Sequence, residues 1–156
     1  MTREIWRSVG GYSDTFVSNM GRALRFKFSS RDGGVGSELD FKLLKGSPTG
    51  TPNRHGVRRR RIDFKKDGKW RGRTKSHLVL ELFVGPRPFG YLACHVNDDP
   101  LDDRLDNLYW GTHEDNAADA RRNRLKEKEA EKNELATLPV TFDSDLIGNV
   151  VILETF

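Results

Sequence analysis

The 156-residue chain has a single cysteine, Cys94, which excludes an internal disulfide framework and makes a reducing compartment the natural setting. No stretch approaches the roughly 20 consecutive apolar residues of a membrane helix. The opening residues Met1-Thr2-Arg3-Glu4-Ile5-Trp6 lack the apolar run of a secretory signal. A soluble cytoplasmic protein without membrane contact is expected. Hydrophobic residues are 35% of the chain and charged residues 32%, so there is material for one modest core or two very small ones. Aromatic residues are not scarce. Nine Phe, three Trp and three Tyr argue against a disordered chain. No internal repeat is visible.

The net charge of +4 hides a strong asymmetry. Residues 1–75 carry 19 Lys/Arg against 7 Asp/Glu, residues 76–132 carry 8 against 12, and the last 24 residues carry none against 4. A basic half favours a polyanionic partner, because cations that neutralise phosphates release condensed counterions. A merely solvated basic surface is the alternative.

Residues 4–28 hold short aromatic-rich runs broken by Gly10-Gly11 and Gly21, which predicts two or three short strands. Residues 29–56 are rich in Gly, Ser, Pro, Thr and Asn apart from an apolar patch at Leu39–Leu44, and read as a loop or linker. Residues 57–71 predict a hairpin about Asp67-Gly68. The spacing of Leu78, Val79, Leu82 and Phe83 favours a short buried helix ended by Gly85-Pro86-Arg87-Pro88. Tyr91–Val96 and Leu108–Trp110 predict two strands separated by an acidic loop, Asn97–Asp106. Thr112 with Asp115 approximates a capping box for a helix from His113 to about Glu134, whose polar second half reads as a solvated extension. Pro139 stops it, and Val150–Leu153 is strand-like.

Within this order, His95 lies on a strand, Asn107 just before a second strand, and Asn116 in the first turns of the following helix. Phosphodiester hydrolysis needs a water deprotonated near neutral pH, which suits imidazole, and the ring's other nitrogen needs an acceptor that fixes one tautomer. A hard cation beside the scissile phosphate stabilises the leaving oxygen, and Asn or Asp oxygens suit Mg²⁺ or Mn²⁺. Spacing alone does not separate these roles from capping or core roles.

The runs Leu78-Val79-Leu80-Glu81-Leu82-Phe83-Val84-Gly85-Pro86-Arg87-Pro88, Cys94-His95 and Asp103-Arg104-Leu105-Asp106-Asn107-Leu108-Tyr109-Trp110-Gly111-Thr112-His113-Glu114-Asp115-Asn116 resemble HNH homing-type endonucleases of phages over about residues 74–122. Glu4-Ile5-Trp6-Arg7, Gly11-Tyr12 and Val17-Ser18-Asn19-Met20-Gly21-Arg22 are similar to a short DNA-engaging module that often precedes such domains. The resemblance implies that His95 is the general base, that Asn107 orients it, and that Asn116 is a helix ligand of one divalent metal, Mg²⁺ or Mn²⁺ rather than Zn²⁺. The position before the base is often Asp in this family and a second ligand. Here it is Cys94, and thiolate is a poor partner for Mg²⁺. Three readings follow: Cys94 packs, phosphates and water complete the metal shell, or the site takes another metal. Asp98 and Asp99 are loop acids that compensate or stay solvated. His113 shares a helix face with Asn116 and is a metal ligand, a phosphate contact or a surface residue. His77 reads as structural.

Arg58, Arg59, Arg60, Arg61, Lys65 and Lys66 about the hairpin, with Arg22 and Arg25 from the N-terminal module, are the candidate DNA contacts. Alternate side chains on a strand face opposite sides, so four consecutive Arg cannot all meet one surface. Trp6, Trp70 and Trp110 read as core, with base stacking the alternative for Trp70.

The expected architecture is α+β: a small ββα-metal nuclease core with a β-rich N-terminal module and a C-terminal helix and strand-like tail. The expected division is 1–50 for the DNA-engaging module and linker, 51–125 for the nuclease, and 126–156 for the extension and tail. The expected activity is nicking of double-stranded DNA by a monomer, in the host nucleoid if the chain is phage-encoded. Rival readings are a DNA-binding protein with a decayed site, and a phage assembly or packaging subunit that docks a protein partner through residues 138–156.

Overall fold

A computed structural model describes residues 3–27, 40–66 and 69–137. Residues up to 121 form one compact unit, and the remainder of the last helix, from Arg122, belongs to a second. The fold is α+β.

The first sheet is antiparallel, with strands in the order β1 (Trp6–Val9), β2 (Tyr12–Ser18), β3 (Ala23–Lys27) and β4 (Asp40–Leu43). The second has the order β5 (Ser47–Thr49), β6 (Arg59–Lys66), β7 (Lys69–Thr74). β4 and β5 correct the reading of 29–56 as loop. Both are short edge strands held by pairing rather than burial, so they leave little hydrophobic pattern. Phe41 and Leu43 of β4 are exposed although they register with Phe26 and Leu24. Pro48 is tolerated in β5 because an edge strand does not need its missing N–H on the outer side.

The helix α1 (Lys75–Phe83) lies at the centre, with Leu78, Val79 and Leu80 fully buried. It packs with Val9, Val17 and Ala23 of the first sheet, Ile62 and Phe64 of β6, and Ala93 and Leu108 beyond it. The N-terminal strands therefore share one core with the rest of the unit. Each fully buried Leu contributes about 1.5–3 kcal/mol relative to exposure. Trp110 packs against this core, as read from sequence, but Trp70 does not: it is 65% exposed. Ile62 and Phe64 take the inward positions of β6. Trp70 registers with Lys65, which lies on the outward alternation.

β8 (Leu92–His95) and β9 (Leu108–Gly111) pair antiparallel, joined by the acidic loop and one 3₁₀ turn, Leu105–Asn107. They lead into α2 (His113–Thr137), giving the ββα order expected from sequence. Thr112 and Asp115 form the reciprocal cap. Thr112 Oγ1 accepts from the Asp115 N–H at 3.1 Å, and Asp115 Oδ2 accepts from the Thr112 N–H at 2.8 Å. These bonds hold the Asp115 carboxyl below its ordinary pKa. Pro139, the strand-like run 150–153 and the docking tail 138–156 lie outside the described residues. Among those described, no helix is long and apolar enough to cross a membrane.

The first sheet is seated on the acidic loop. Asn19 O accepts from the Leu105 N–H at 2.8 Å. Gly21, at φ +70°, lies so close to Asp103 that a Cβ would stand 2.6 Å from its backbone carbonyl atoms. Gly21→Ala therefore meets both a left-handed backbone and rigid main chain. It should destabilise the protein by at least ~1–3 kcal/mol, read as a lower urea midpoint. An unchanged midpoint would show that the sheet does not depend on this seat.

Candidate active site

His95 ends β8 and is only 5% exposed. It lines a cleft of about 300 Å³ together with Asn116, Asp98, Arg59, Asn53 and Thr51. Two of the three residues singled out by order in the sequence, His95 and Asn116, thus meet in one cavity although 21 positions apart. β8 carries His95 to the rim, and the first turn of α2, fixed by the Thr112–Asp115 cap, carries Asn116.

The third residue has a different place from the one expected. His95 Nε2 lies 3.2 Å from Asp103 Oδ1, and both side chains are almost wholly buried. Asp103, to which the sequence reading gave no role, is the acceptor that orients the ring. Asn107 does not meet the ring. Its Oδ1 accepts from the Asn97 N–H at 3.1 Å, and its Nδ2 donates to Asn97 Oδ1 at 2.9 Å and to Asp102 O at 2.8 Å. It braces the loop that presents Asp103. No feature of the sequence separates Asp103 from its acidic neighbours, because its role depends on burial. Beside it, Asp102 pairs with Arg104, and the hydrogen bond from that guanidinium holds the Asp102 carboxyl below its usual range.

The Lys75 ammonium stands 3.3 Å from Asp103 Oδ2, an ion-pair distance without hydrogen-bond geometry, and donates to Gly21 O at 3.0 Å. A buried carboxylate thus has an imidazole on one oxygen and an ammonium beside the other.

Cys94 is fully buried and does not line the cleft. Strand alternation turns it away from His95. Its Sγ donates to Leu92 O at 3.7 Å and would sit 3.0 Å from a Cβ on Gly111. Burial pushes its thiol above the ordinary range. Of the readings left open for Cys94, the geometry matches packing. Nearby, Tyr109 Oη donates to the buried Asp119 Oδ2 at 2.5 Å, and burial with that bond raises the phenol's pKa. His113 is exposed and does not line the cleft. His77 Nδ1 lies 2.6 Å from Thr74 Oγ1, and its ring packs edge-on against Trp110. Burial lowers its pKa, in keeping with a structural role.

Among the described residues, no three His, Cys, Asp or Glu side chains gather as a metal cluster. The side-chain oxygens of the cleft include the Asn116 amide and the Asp98 carboxylate, beside those of Thr49, Thr51 and Asn53. Such a set suits a hard cation whose remaining positions are taken by phosphate and water. Asp98 has φ 60°, the single positive value outside glycine among the described residues.

The candidate DNA contacts divide. Arg59 donates to Ala93 O at 3.2 Å and lines the cleft beside His95. Arg58 and Lys65 are exposed, Arg60 is half-buried, and Arg61 Nε lies 3.0 Å from Asp63 Oδ1. The Lys66 side chain lies outside the described residues. Arg22 is engaged within the fold, paired with Glu4 and set over the Trp6 ring. Arg25 is also tied inward, donating to Asp63 O at 2.8 Å and to Thr15 Oγ1 at 3.3 Å.

Residues 73–118, from the end of β7 to the start of α2, match the HNH endonuclease family. The fold is similar to a solved structure described as "DNA binding and cleavage by the HNH homing endonuclease I-HmuI". The TM-score is 0.55 and the identity 22%, over 83% of this chain and 68% of that one. No curated protein matches the chain significantly.

The burial of Cys94 has a direct chemical consequence. Thiolate is the reactive form, and burial disfavours it. A thiol reagent at pH 8 should label the native protein far more slowly than the urea-unfolded chain, with and without added Mg²⁺. Rapid stoichiometric labelling of the native protein would contradict the packed position.

Proposed function

We propose that the chain is a divalent-metal-dependent DNA endonuclease in which His95 is the general base. The observation that carries this reading is a single cleft shared by an imidazole with a fixed partner, a helix-borne amide, a carboxylate and an arginine. With Nε2 facing the Asp103 carboxylate, the proton resides on Nε2, and Nδ1 is the nitrogen that accepts a proton from the attacking water. Asp103 then stabilises the imidazolium that forms. Arg59 meets a non-bridging phosphate oxygen, since its guanidinium is a fixed cation of the cleft.

Asn116 and Asp98 would hold Mg²⁺ or Mn²⁺, whose charge at the leaving oxygen lowers the barrier to P–O cleavage. In this assignment Asp98 supplies the carboxylate that the position of Cys94 does not. Asn107 acts through the loop it braces. The exposed Arg58 and Lys65 add non-specific attraction to the duplex. One site per chain attacks one phosphate at a time, so a monomer nicks one strand. The alternative of a DNA-binding protein without catalysis rests on Cys94 alone.

His95→Ala should reduce cleavage by ~10²–10⁴-fold while leaving DNA affinity nearly intact, measured by plasmid nicking and by anisotropy in EDTA. Wild-type cleavage by the variant would remove the general-base assignment. No cleavage by the wild-type protein with any divalent metal would favour the non-catalytic alternative.

Asn116→Ala and Asp98→Asn should each raise the metal concentration for half-maximal activity and weaken Mn²⁺ binding in calorimetry. Cys94→Ser should leave both unchanged. The reverse pattern, with loss only at Cys94, would show that the ligand set is wrong. In a time course on supercoiled plasmid, nicked circles should accumulate before any linear product. Linear DNA without that intermediate, from a particle of dimer mass, would contradict single-strand cleavage.

A further inference from the structure

A second cleft, of about 480 Å³, shares no lining residue with the one around His95. It runs between β3, the β4–β5 connection, β6 and β7. Its cations are Arg25, Lys42, Lys45 and Arg61, against one carboxylate, Asp63. Trp70 lines it and is 65% exposed. Ile62, buried, and Leu44, partly buried, are its apolar residues of the core.

Two features carry a cost that a ligand here would relieve. Arg25 and Lys42 stand directly opposite each other across β3 and β4, a register in which like charges repel, and Asp14, 3.6 Å from Arg25, offsets this only for Arg25. Trp70 leaves a large apolar ring in water, where an indole is ordinarily well covered. An anion between the cations and a flat ring on the indole remove both costs.

We propose that this cleft binds an unpaired nucleotide of the DNA strand, its phosphates among Arg25, Lys42, Lys45 and Arg61 and its base stacked on Trp70. The inference rests on the DNA endonuclease reading for its choice of nucleic acid. A base inside a duplex has both faces covered, so stacking on an exposed indole selects an unpaired one. Two cations are already set in position. Arg25 is held by Asp63 O and Thr15 Oγ1, and Arg61 by the Asp63 carboxylate. Lys65, 6.0 Å from the Trp70 ring centroid, adds a cation on the same outer face.

The cleft also has a defined path to the nuclease site. Arg61 and Ser47 line it, whereas Arg59 and Thr49 line the cleft of His95, and the two pairs are successive same-face rungs of one ladder. Two residues along a strand span about 7 Å. A strand held at Arg61 therefore passes to Arg59 within one or two nucleotides. The unpaired nucleotide flanks the phosphate that is cut, and the protein prefers DNA with an unpaired tract near its target over continuous duplex.

The test uses the full chain in EDTA, so that binding is read whether or not the protein cleaves. Fluorescence anisotropy compares a 20-base-pair duplex with the same duplex carrying a five-thymidine overhang at its 3′ or its 5′ end. At least one overhang should bind about fivefold or more tighter than the blunt duplex, the scale of a single base–aromatic stack. Trp70→Ala should abolish that preference, and Trp70→Phe should retain most of it. Lys42→Ala with Lys45→Ala should lower the salt dependence of overhang binding by about 0.7 per lost phosphate contact. Equal affinity for all three DNAs, or a preference that survives Trp70→Ala in a variant with native circular dichroism, overturns the proposal. If Trp70→Ala fails to fold, quenching of Trp70 fluorescence by thymidine pentanucleotide, measured in a Trp6→Phe, Trp110→Phe background, decides it. Absence of quenching overturns the proposal. Failure of cleavage with the overhang preference intact would overturn the endonuclease reading and leave this site standing.

Discussion

A single buried carboxylate, Asp103, holds together the parts on which the candidate site depends. Placing a charge at 2–3% exposure is costly by several kcal/mol unless its oxygens find partners. Here two elements supply the partners and a third packs against the residue's backbone. His95 is at the end of β8, Lys75 at the start of α1, and Gly21 packs its backbone against Asp103 from the turn after β2. Lys75 is otherwise poorly placed, since a cation in the first turn opposes the helix dipole. The Asp103 carboxylate and the Gly21 carbonyl offset that. Asp103 thus meets the imidazole through its side chain and the turn after β2 through its backbone, so one residue joins the N-terminal sheet to the segment that carries His95.

The acidic loop stays in shape through a different set of bonds. Asn107 makes three hydrogen bonds through one side chain and receives a fourth at its backbone, where Val96 N–H donates to its carbonyl at 2.9 Å. That closes the twelve-residue excursion between β8 and β9 at its neck. Asp102 and Arg104 pair at the surface, but an exposed pair of this kind adds little. The Asn107 network braces the loop that carries Asp103, so Asn107 sits one step back from His95.

Local signals carried much of this into the sequence. The Thr112–Asp115 cap, the apolar spacing from Leu78 and the hairpin runs on either side of Asp67-Gly68 are each properties of a few neighbouring residues, and each reads correctly. The order His95, Asn107, Asn116 marks the ββα skeleton. Features set by distant contacts were not legible. β4 exists because Phe41 and Leu43 pair with β3, although their side chains stay exposed. Asp103 differs from Asp98, Asp99 and Asp106 only in being buried. Trp70 carries a core-type residue on an outward register, which no pattern in its own segment announces.

Cys94 shows how alternation decides chemistry. Adjacent positions on β8 serve two surfaces: His95 lines the cleft, while Cys94 is buried beside Gly111, where a Cβ would stand 3.0 Å from its Sγ. A small, weakly polar group is the economical occupant of that space. The loop that follows turns Asp98 back to the cleft through a left-handed backbone, a conformation that costs an L-residue energy and persists where surrounding bonds impose it. Here the Asp98 N–H bonds to His95 O at 3.2 Å. The carboxylate that lines the cleft is thus placed by the backbone of His95 itself. On the other side, the guanidinium of Arg59 is anchored on the carbonyl of Ala93, two residues before His95. Both charged groups of the cleft take their positions from the same four-residue strand, so a shift of that strand moves His95, the carboxylate and the arginine together.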